Sequence, residues 1–471
     1  MDGFQAEALR RLPLAQSVFY LFSYVLDDSH LGDLFERFRG RCYQRELSFA
    51  AVVYLLRDAL LVHEGSGNAS FTAAREAGAL AVAVQNVYEK LRRLPLELSM
   101  AFLRETTAKL LGLMPRGHDP LAAQDPLAPS LAGLEVIAFD GKKLKKAAKR
   151  LKALRGLAGK LLGGKLLAAM HVRAGVVLAM GADPDGERND VPLVPGLVEQ
   201  VRSLIQTPIL WMGDRQFGNL DLPALLSQRQ DHFLLRCTTT LKFYPDPQRP
   251  AQEGIDAQGR RWVQRWGWIG SEREKRRRYV RQITLYRPGE DDVILITDLL
   301  DETLYPAVDL LAAYLLRWGI ESVFQKVTEV FDLKKLIGST PKAMIFQSAF
   351  CFVMYNLIEV VRAYVAQGAE RQKAEVSTEK LFDSVCKQLV AWNELGEASY
   401  AAEYFQPALP TEQLKEKLRH LLSHVWTNRW IKAVNKKPRR HQPKAKVKPG
   451  HGGHSSVWRI LQAYKQGAQR P

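Results

Sequence analysis

Apolar positions recur with a helical period through most of residues 5–112. Leu12–Leu26, Leu47–Leu61 and Leu98–Leu113 each place apolar side chains three and four residues apart. Within this region, Ser70–Ala77, a turn at Gly78 and Ala81–Arg93 have the form of a helix-turn-helix. Its second helix stops before Pro95 with a basic end, Lys90-Leu91-Arg92-Arg93. Residues 117–130 hold three prolines and little periodicity, so they read as a linker. From 134 the period changes. The pattern predicts a strand at 134–139, a basic loop at 141–165, and strands at 166–172 and 174–180. A helix at 192–206, a strand at 208–213, a helix at 221–229 and a strand at 232–237 follow. Strands interleaved with helices give an α/β sheet. Residues 240–300 then alternate with a period of two and are rich in β-formers, which predicts an antiparallel insert. A strand over Asp292–Leu299 leads to a helix bearing Glu321, and 341–425 is helical again.

These patterns divide the 471 residues into a helical region at 1–116 that holds the helix-turn-helix pattern, the linker at 117–130 and an α/β domain at 131–360 with its insert at about 240–300. A helical region at 361–427 and a basic tail at 428–471, expected to be disordered alone, complete the chain. With 46% hydrophobic residues the chain can bury a large core. Phe350–Val365 comes nearest to a membrane span, but Asn356, Glu359 and Arg362 interrupt it. No secretory signal pattern opens the sequence, and the four cysteines form no CxxC pair. A disulfide framework and structural zinc are therefore not expected, which fits a reducing cytoplasm.

Charge changes the picture further. The net charge is +17, and its placement matters more than its size. Residues 417–471 carry 14 Lys and Arg and no acid, and residues 142–165 carry ten and no acid. Two acid-free blocks point to a polyanion such as nucleic acid.

Three carboxylates supply the candidate chemistry. Asp140 follows the apolar run Leu134–Phe139, and Asp214 follows Pro208–Gly213. Both are expected at the mouths of parallel strands, where α/β sheets place ligands. Tyr314, Arg317 and Glu321 fall within about 60° of one another on one helix face. That set suits a phosphate and a divalent metal, as a metal-dependent phosphoryl-transfer enzyme requires.

In order along the chain, Phe139-Asp140-Gly141 with its basic loop, Gly213-Asp214-Arg215-Gln216-Phe217-Gly218, and Tyr314-x2-Arg317-x3-Glu321 resemble the DDE transposases of bacterial insertion sequences. The branch of closest resemblance is insertion sequence family four. The likeness covers roughly 134–360 and includes Thr297-Asp298-Leu299 and Arg317-Trp318-Gly319-Ile320-Glu321-x2-Phe324. It implies a ribonuclease H-like α/β catalytic core with an antiparallel β insert, flanked by helical N- and C-terminal regions. It also implies two Mg2+ ions, with Mn2+ able to substitute: Asp140 would bridge both, and Asp214 and Glu321 would take one each. Arg317 would hold a phosphate near the element's end, and Tyr314 would donate a hydrogen bond to another. Lys142, Lys143, Lys145 and Lys146 of the basic block, and Arg92 and Arg93 of the N-terminal region, are the further DNA-binding candidates. An insert tryptophan, with Trp266 as the candidate, would stack on an unpaired base; the even spacing of Trp262, Trp266 and Trp268 equally reads as a packing stripe. The signature departs in one place. The family Lys seven residues after the Glu is Thr328 in this chain; Lys326 lies off that face, and Lys335 lies about 21 Å further along the helix.

The implied partners are double-stranded DNA, terminal inverted repeats and target DNA, engaged by a homodimer with no membrane, in a bacterial, nucleoid-associated cytoplasmic setting. A structure-directed nuclease on the same fold and a catalytically inert, transposase-derived DNA-binding protein are the competing readings.

Overall fold

The computed structural model describes residues 3–115, 125–145, 147–157, 159–331, 337–396, 405–433 and 454–467. Seven helices open the chain: α1 (Gly3–Arg10), α2 (Pro13–Val25), α3 (Asp28–Phe38), α4 (Phe49–Leu61), α5 (Gly67–Glu76), α6 (Val84–Arg93) and α7 (Leu96–Leu113). Side-chain caps mark several starts. Asp27 accepts from the His30 N–H, Ser48 from that of Ala51 and Ser66 from that of Ala69. The expected helix-turn-helix is the pair α5–α6, joined across Phe71 and Tyr88.

The centre is one eleven-stranded mixed sheet. Its strands are β1 (Glu135–Lys145), β2 (Leu161–His171), β3 (Val176–Asp183), β4 (Ile209–Gly218), β5 (His232–Cys237), β6 (Phe243–Pro245), β7 (Gln252–Ile255), β8 (Arg261–Ile269), β9 (Arg278–Leu285), β10 (Val293–Thr297) and β11 (Ser455–Ser456). Within it β3-β2-β1-β4-β5 lie side by side, with β1, β4 and β5 parallel and β2 antiparallel to both neighbours. This is the ribonuclease H-like arrangement that the resemblance implies. The insert forms no separate sheet: β10 pairs antiparallel with β5, and β9, β8 and β6 continue outward from it.

Helices cover both faces. α8 (Val194–Arg202) and α9 (Leu222–Leu226) pack with Ile137, Phe139, Trp211 and Phe233. On the other face, Val136, Ala138, Leu210 and Met212 join the core shared with α10 (Ala307–Leu316), α11 (Trp318–Glu329) and α12 (Pro341–Gly368). Strands buried on both sides read as continuous apolar runs, which is why 134–139 and 208–213 stand out in the sequence. Two C-terminal helices follow, α13 (Thr378–Leu395) and α14 (Thr411–Leu422), and α15 (Val457–Lys465) comes after β11.

Several expectations are corrected. The basic loop is shorter than 141–165. β1 runs on through Lys142 and Lys143 to Lys145, with Lys142 opposite Leu166 and Lys143 opposite Lys165 on β2. Backbone pairing tolerates these lysines because Lys143 and Lys145 point to solvent. The single helix expected around Glu321 is two, interrupted at Arg317, where i→i−3 bonds (Arg317 N to Tyr314 O, Ile320 N to Arg317 O) replace the α pattern. At Gly319 the helix lies so close to the sheet that a Cβ would come within 2.8 Å of the Met170 methyl. Part of the tail expected to be disordered folds: Ser455 and Ser456 pair with Leu161 and Leu162 of β2, and α15 buries Val457. Its Arg459 bonds Asp185 (2.8 Å) and Glu187, so the segment supplies basic partners for acids that no other segment was expected to meet. The expected linker lies largely outside the described residues; its described end is tied down by Arg173 to Asp125 (2.6 Å) and Ser130 to Asp309 (2.7 Å).

α12 is long and apolar enough to cross a membrane, yet protein buries it throughout. It also runs through the boundary expected at 360. Its polar interruptions are the reason it belongs inside a protein. The Asn356 amide accepts from the Val177 N–H and donates to the Val177 carbonyl and Thr107 Oγ1, each at 2.8 Å, joining α12 to β3 and α7. One turn on, Glu359 bonds Arg362, Lys373 (3.0 Å) and Thr378 (2.9 Å). Burial alone would raise its pKa, but Arg362, Lys373 and Lys326 hold it well below the carboxylate range. Asn356→Leu keeps the branching at Cγ and orphans the buried Val177 N–H. It should cost roughly 2–3 kcal/mol in urea unfolding, the penalty for a buried donor without a partner; a loss under about 0.5 kcal/mol would show that the clamp contributes little.

Candidate active site

The parallel ladder between β1 and β4 ends at the pair Phe139–Gly213. Asp140 and Asp214 are the next residue on each strand. Both continue the parity of Ala138 and Met212, so both face the side covered by α10 and α11. α11 brings Glu321 to that side. Its buried Ile320, Val323 and Phe324 pack it against the sheet, leaving Glu321 39% exposed at the rim.

Arg317 lies between the carboxylates and is 2% exposed. Its Nη2 donates to Glu321 Oε1 (2.8 Å), and its Nη1 is 3.8 Å from Asp140 Oδ2. The guanidinium also lies 5.6 Å from the Tyr314 ring and 5.3 Å from the Trp318 ring. Arg317 Nε, Arg317 Nη1 and Tyr314 Oη are buried without a hydrogen-bond partner. Burial pushes the Tyr314 hydroxyl up to about 12, with Asp214 adding to the effect.

Asp140 is 18% exposed, and Oδ1 accepts from the Gly141 N–H (2.7 Å). Burial pushes its carboxyl up to about 6. The Gly141 N–H and Arg317 pull it down, while the Glu321 and Asp214 charges push it further up. The three carboxylates therefore feel one another. A cleft of about 500 Å³ opens beside them, lined by Asp140, Gly141, Lys143, Lys165, Asp190, Asp214, Arg215, Gln216 and Thr238.

The donor set was tested against a divalent cation. Oxygen-only ligands suit Mg2+, and partly buried carboxylates whose charges raise the Asp140 carboxyl, together with orphaned cationic and hydroxyl donors, suit a site completed by metal and phosphate. Among the described residues no three such side chains are drawn together tightly enough to hold an ion, Glu321 being engaged by Arg317. The residues fit the group in chemistry, with Glu321 held by Arg317.

The other predicted site residues divide. Lys143 lines the cleft. Lys142 is half-buried with Nζ 5.6 Å from the Phe324 ring of α11; burial lowers its pKa, Lys145 lowers it too, and Asp140 and Glu321 oppose this. Lys145 is exposed at the end of β1. Lys146 and Lys335 lie outside the described residues. Thr328 spends its hydroxyl on the Phe324 carbonyl (2.7 Å). Arg92 and Arg93 are exposed at the end of α6, away from the cleft lining, and Arg92 pairs with Glu89. Trp266 is the correction. It is 0% exposed, its indole N–H donates to the Leu300 carbonyl (2.9 Å), and Arg249 stacks on its ring at 3.8 Å. It cannot stack on a base because the face that alternation gives it is the packed one. Trp262 packs over Gly254, and Trp268 against Tyr279 and Arg277. Exposed aromatic surface lies instead at Trp318, 53% exposed beside Arg317.

Sequence reasoning missed Asp190, Lys165 and Gln216 as cleft residues. Lys165 closes the acid-free block, which was a signal. Asp190, before Val191-Pro192 and a helix, reads as a cap, yet its side chain caps nothing.

Residues 132–357 match the transposase DDE domain family. The matched segment begins just before β1, contains all three carboxylates and ends inside α12. The cryo-EM structure of a piggyBac transposase synaptic complex with hairpin DNA is similar at 13% identity and a TM-score of 0.34. The similarity covers 92% of this chain and 78% of that one, a likeness too loose to add weight. No curated protein matches the chain in sequence.

Two outcomes follow. The Asp140 carboxyl is raised in the folded chain from 3.8 to about 6, so its ionisation costs stability as pH rises through that window. Without divalent metal, Asp140→Asn should be more stable than the wild type at pH 7.5 by roughly 2–3 kcal/mol, an advantage absent near pH 4. Denaturant unfolding in EDTA at both pH values measures it, and equal stability at pH 7.5 would show the carboxyl is not strained. Trp266→Ala should cost roughly 3–5 kcal/mol, the range for a buried aromatic; a normal melting temperature together with impaired DNA processing would return Trp266 to the DNA interface.

Proposed function

We propose that this chain is a transposase that binds the ends of its own insertion sequence, cleaves them and joins them to target DNA. The observation that carries the reading is the opening of the β1–β4 ladder at Asp140 and Asp214, with Glu321 set over it by α11 inside a segment matching the transposase DDE domain. Asp140, Asp214 and Glu321 would hold two Mg2+ ions, or Mn2+. Bound in that way, divalent cations stabilise charge on the attacking and departing oxygens of an in-line displacement at phosphorus.

The chain's own groups do the rest. Arg317 neutralises Asp140 and Glu321 before substrate arrives, and its free Nε and Nη1 are then available to a phosphate oxygen. Tyr314 keeps its proton through the neutral range and donates it as a hydrogen bond to an adjacent phosphate. Lys143 at the cleft, with Lys142 and Lys145 on the same strand, attracts the DNA backbone. The exposed face of α6, with Arg92 and Arg93, is suited to holding the inverted repeat away from the chemistry. Two copies of the chain, one for each end, complete the reaction.

Incubating the protein with its flanking DNA ends and Mg2+ tests the reading. The wild type should release cleaved ends and joined products. Asp140→Ala, Asp214→Ala and Glu321→Ala should each reduce cleavage below detection while end binding in a gel shift stays within about threefold, since the carboxylates hold metal and not DNA. Substantial cleavage by any one of them would remove that residue from the site. Cleavage of branched or looped DNA irrespective of end sequence, with no joining, would favour a structure-directed nuclease.

A further inference from the structure

We propose that Asp190, held by Lys165, is a positioning residue that fixes the separation of Asp140 and Asp214 and thereby sets the affinity of the site for divalent metal; this rests on the metal-dependent function proposed above.

Beyond Phe139–Gly213 no backbone pairing joins β1 to β4. β1 continues against β2, while β4 loses its register with β5 until Gly218 meets Cys237. The two aspartates therefore stand on backbone whose spacing the ladder no longer dictates. The Asp190 carboxylate fills that gap. Oδ1 lies 2.8 Å from Lys165 Nζ of β2, and both side chains are almost wholly buried. Oδ2 accepts from Gln216 Nε2 of β4 at 2.6 Å. Against β1 the carboxyl group lies directly on Gly141: a Cβ there would sit 2.4–2.6 Å from three carboxyl atoms, so only glycine allows the approach. Gly141 is the residue whose N–H fixes Asp140, and Gln216 is two residues beyond Asp214. One carboxylate thus touches all three strands around the opening and braces the backbone behind each aspartate.

Its chemistry suits bracing better than ligation. Oδ2 accepts a hydrogen bond, Oδ1 meets the Lys165 ammonium as an ion pair without a hydrogen bond, and the Lys165 charge leaves the pair neutral, so it does not add to the repulsion at Asp140. A buried ion pair is also a poor source of stability compared with packed apolar side chains. What it supplies in this position is directional contact to two strands that no ladder connects. Asp190 is itself anchored: it precedes the turn Val191–Leu193, which leads into α8 on the far face of the sheet. Asp190 thus adds a polar link between the start of α8 and the backbone beside the aspartates.

The test uses the full chain with Mn2+ as the probe. Free Mn2+ is counted by electron paramagnetic resonance during titration of the DNA-free protein, and end cleavage is followed against Mn2+ concentration. Asp190→Asn should weaken Mn2+ binding and raise the half-maximal Mn2+ for cleavage on the order of tenfold, with cleavage at saturating Mn2+ returning to within about threefold of wild type. A merely structural role would lower the melting temperature and leave the metal midpoint unmoved. Gln216→Leu removes one brace from an exposed position, so the fold survives even if Asp190→Asn does not; it should shift the same midpoint in the same direction, by about threefold or more. Unchanged Mn2+ affinity and midpoint in folded Gln216→Leu overturn the proposal, as they do in folded Asp190→Asn. Failure of the wild type itself to bind Mn2+ or cleave would overturn instead the function on which it rests.

Discussion

The site depends on a ladder that stops. Parallel pairing holds β1 and β4 in register through Phe139 and Gly213, so the residues that follow are delivered side by side on one face. Had the pairing continued, Asp140 and Asp214 would be two carboxylates on a closed sheet surface, with no cleft between their strands. Had it stopped earlier, their spacing would be arbitrary. A cleft opens where the strands diverge, lined by Asp140 and Asp214, and α11 carries Glu321 to the same side of the sheet. The electrostatic cost is visible in Asp140, whose carboxyl is raised by burial and by both neighbouring acids. Arg317 meets that cost without filling all its own hydrogen bonds, which keeps the assembly soluble in its own charge yet open to an anionic ligand.

The second organising element is α12. It touches the N-terminal helices through α6 and α7, the sheet through β2 and β3, and the C-terminal helices through α13 and α14. A helix buried all round must satisfy every polar group it carries. Asn356 and Glu359 do so with named partners on three different segments. The segment matching the transposase DDE domain ends within this helix, so the flanking helical regions are built onto it through shared packing and not strung beside it.

The insert follows the same logic. Because β10 pairs with β5, the insert's strands extend the catalytic sheet, and its face toward the protein must be apolar. Trp266 is drawn into that face with Arg249 and Arg281 packed against it, while Arg265 on the opposite parity stays exposed. At the other edge β11 and α15 fold onto β2 close to the end of the basic block, so a late part of the chain becomes part of the central sheet.

By itself the sequence determined what depends on local periodicity and on residue type. Strands buried on both faces announced themselves as apolar runs at 134–139 and 208–213, and the acids that follow those runs were legible as candidates that the fold sets on adjacent strands. The helical register of Tyr314, Arg317 and Glu321 likewise placed three side chains on one face, and the chain puts them there despite the break at Arg317. What only the tertiary structure decided are relations between segments distant in sequence. Whether Lys142 and Lys143 belong to a loop or a strand depended on β2 being there to pair with them. Whether Trp266 faced DNA or core depended on the insert joining the sheet. Asp190 carries no local signal of the cleft, because its contacts with Lys165, Gly141 and Gln216 exist only once three strands meet. Local patterns are written in neighbouring residues, whereas a buried charge takes its meaning from the partners that folding brings to it.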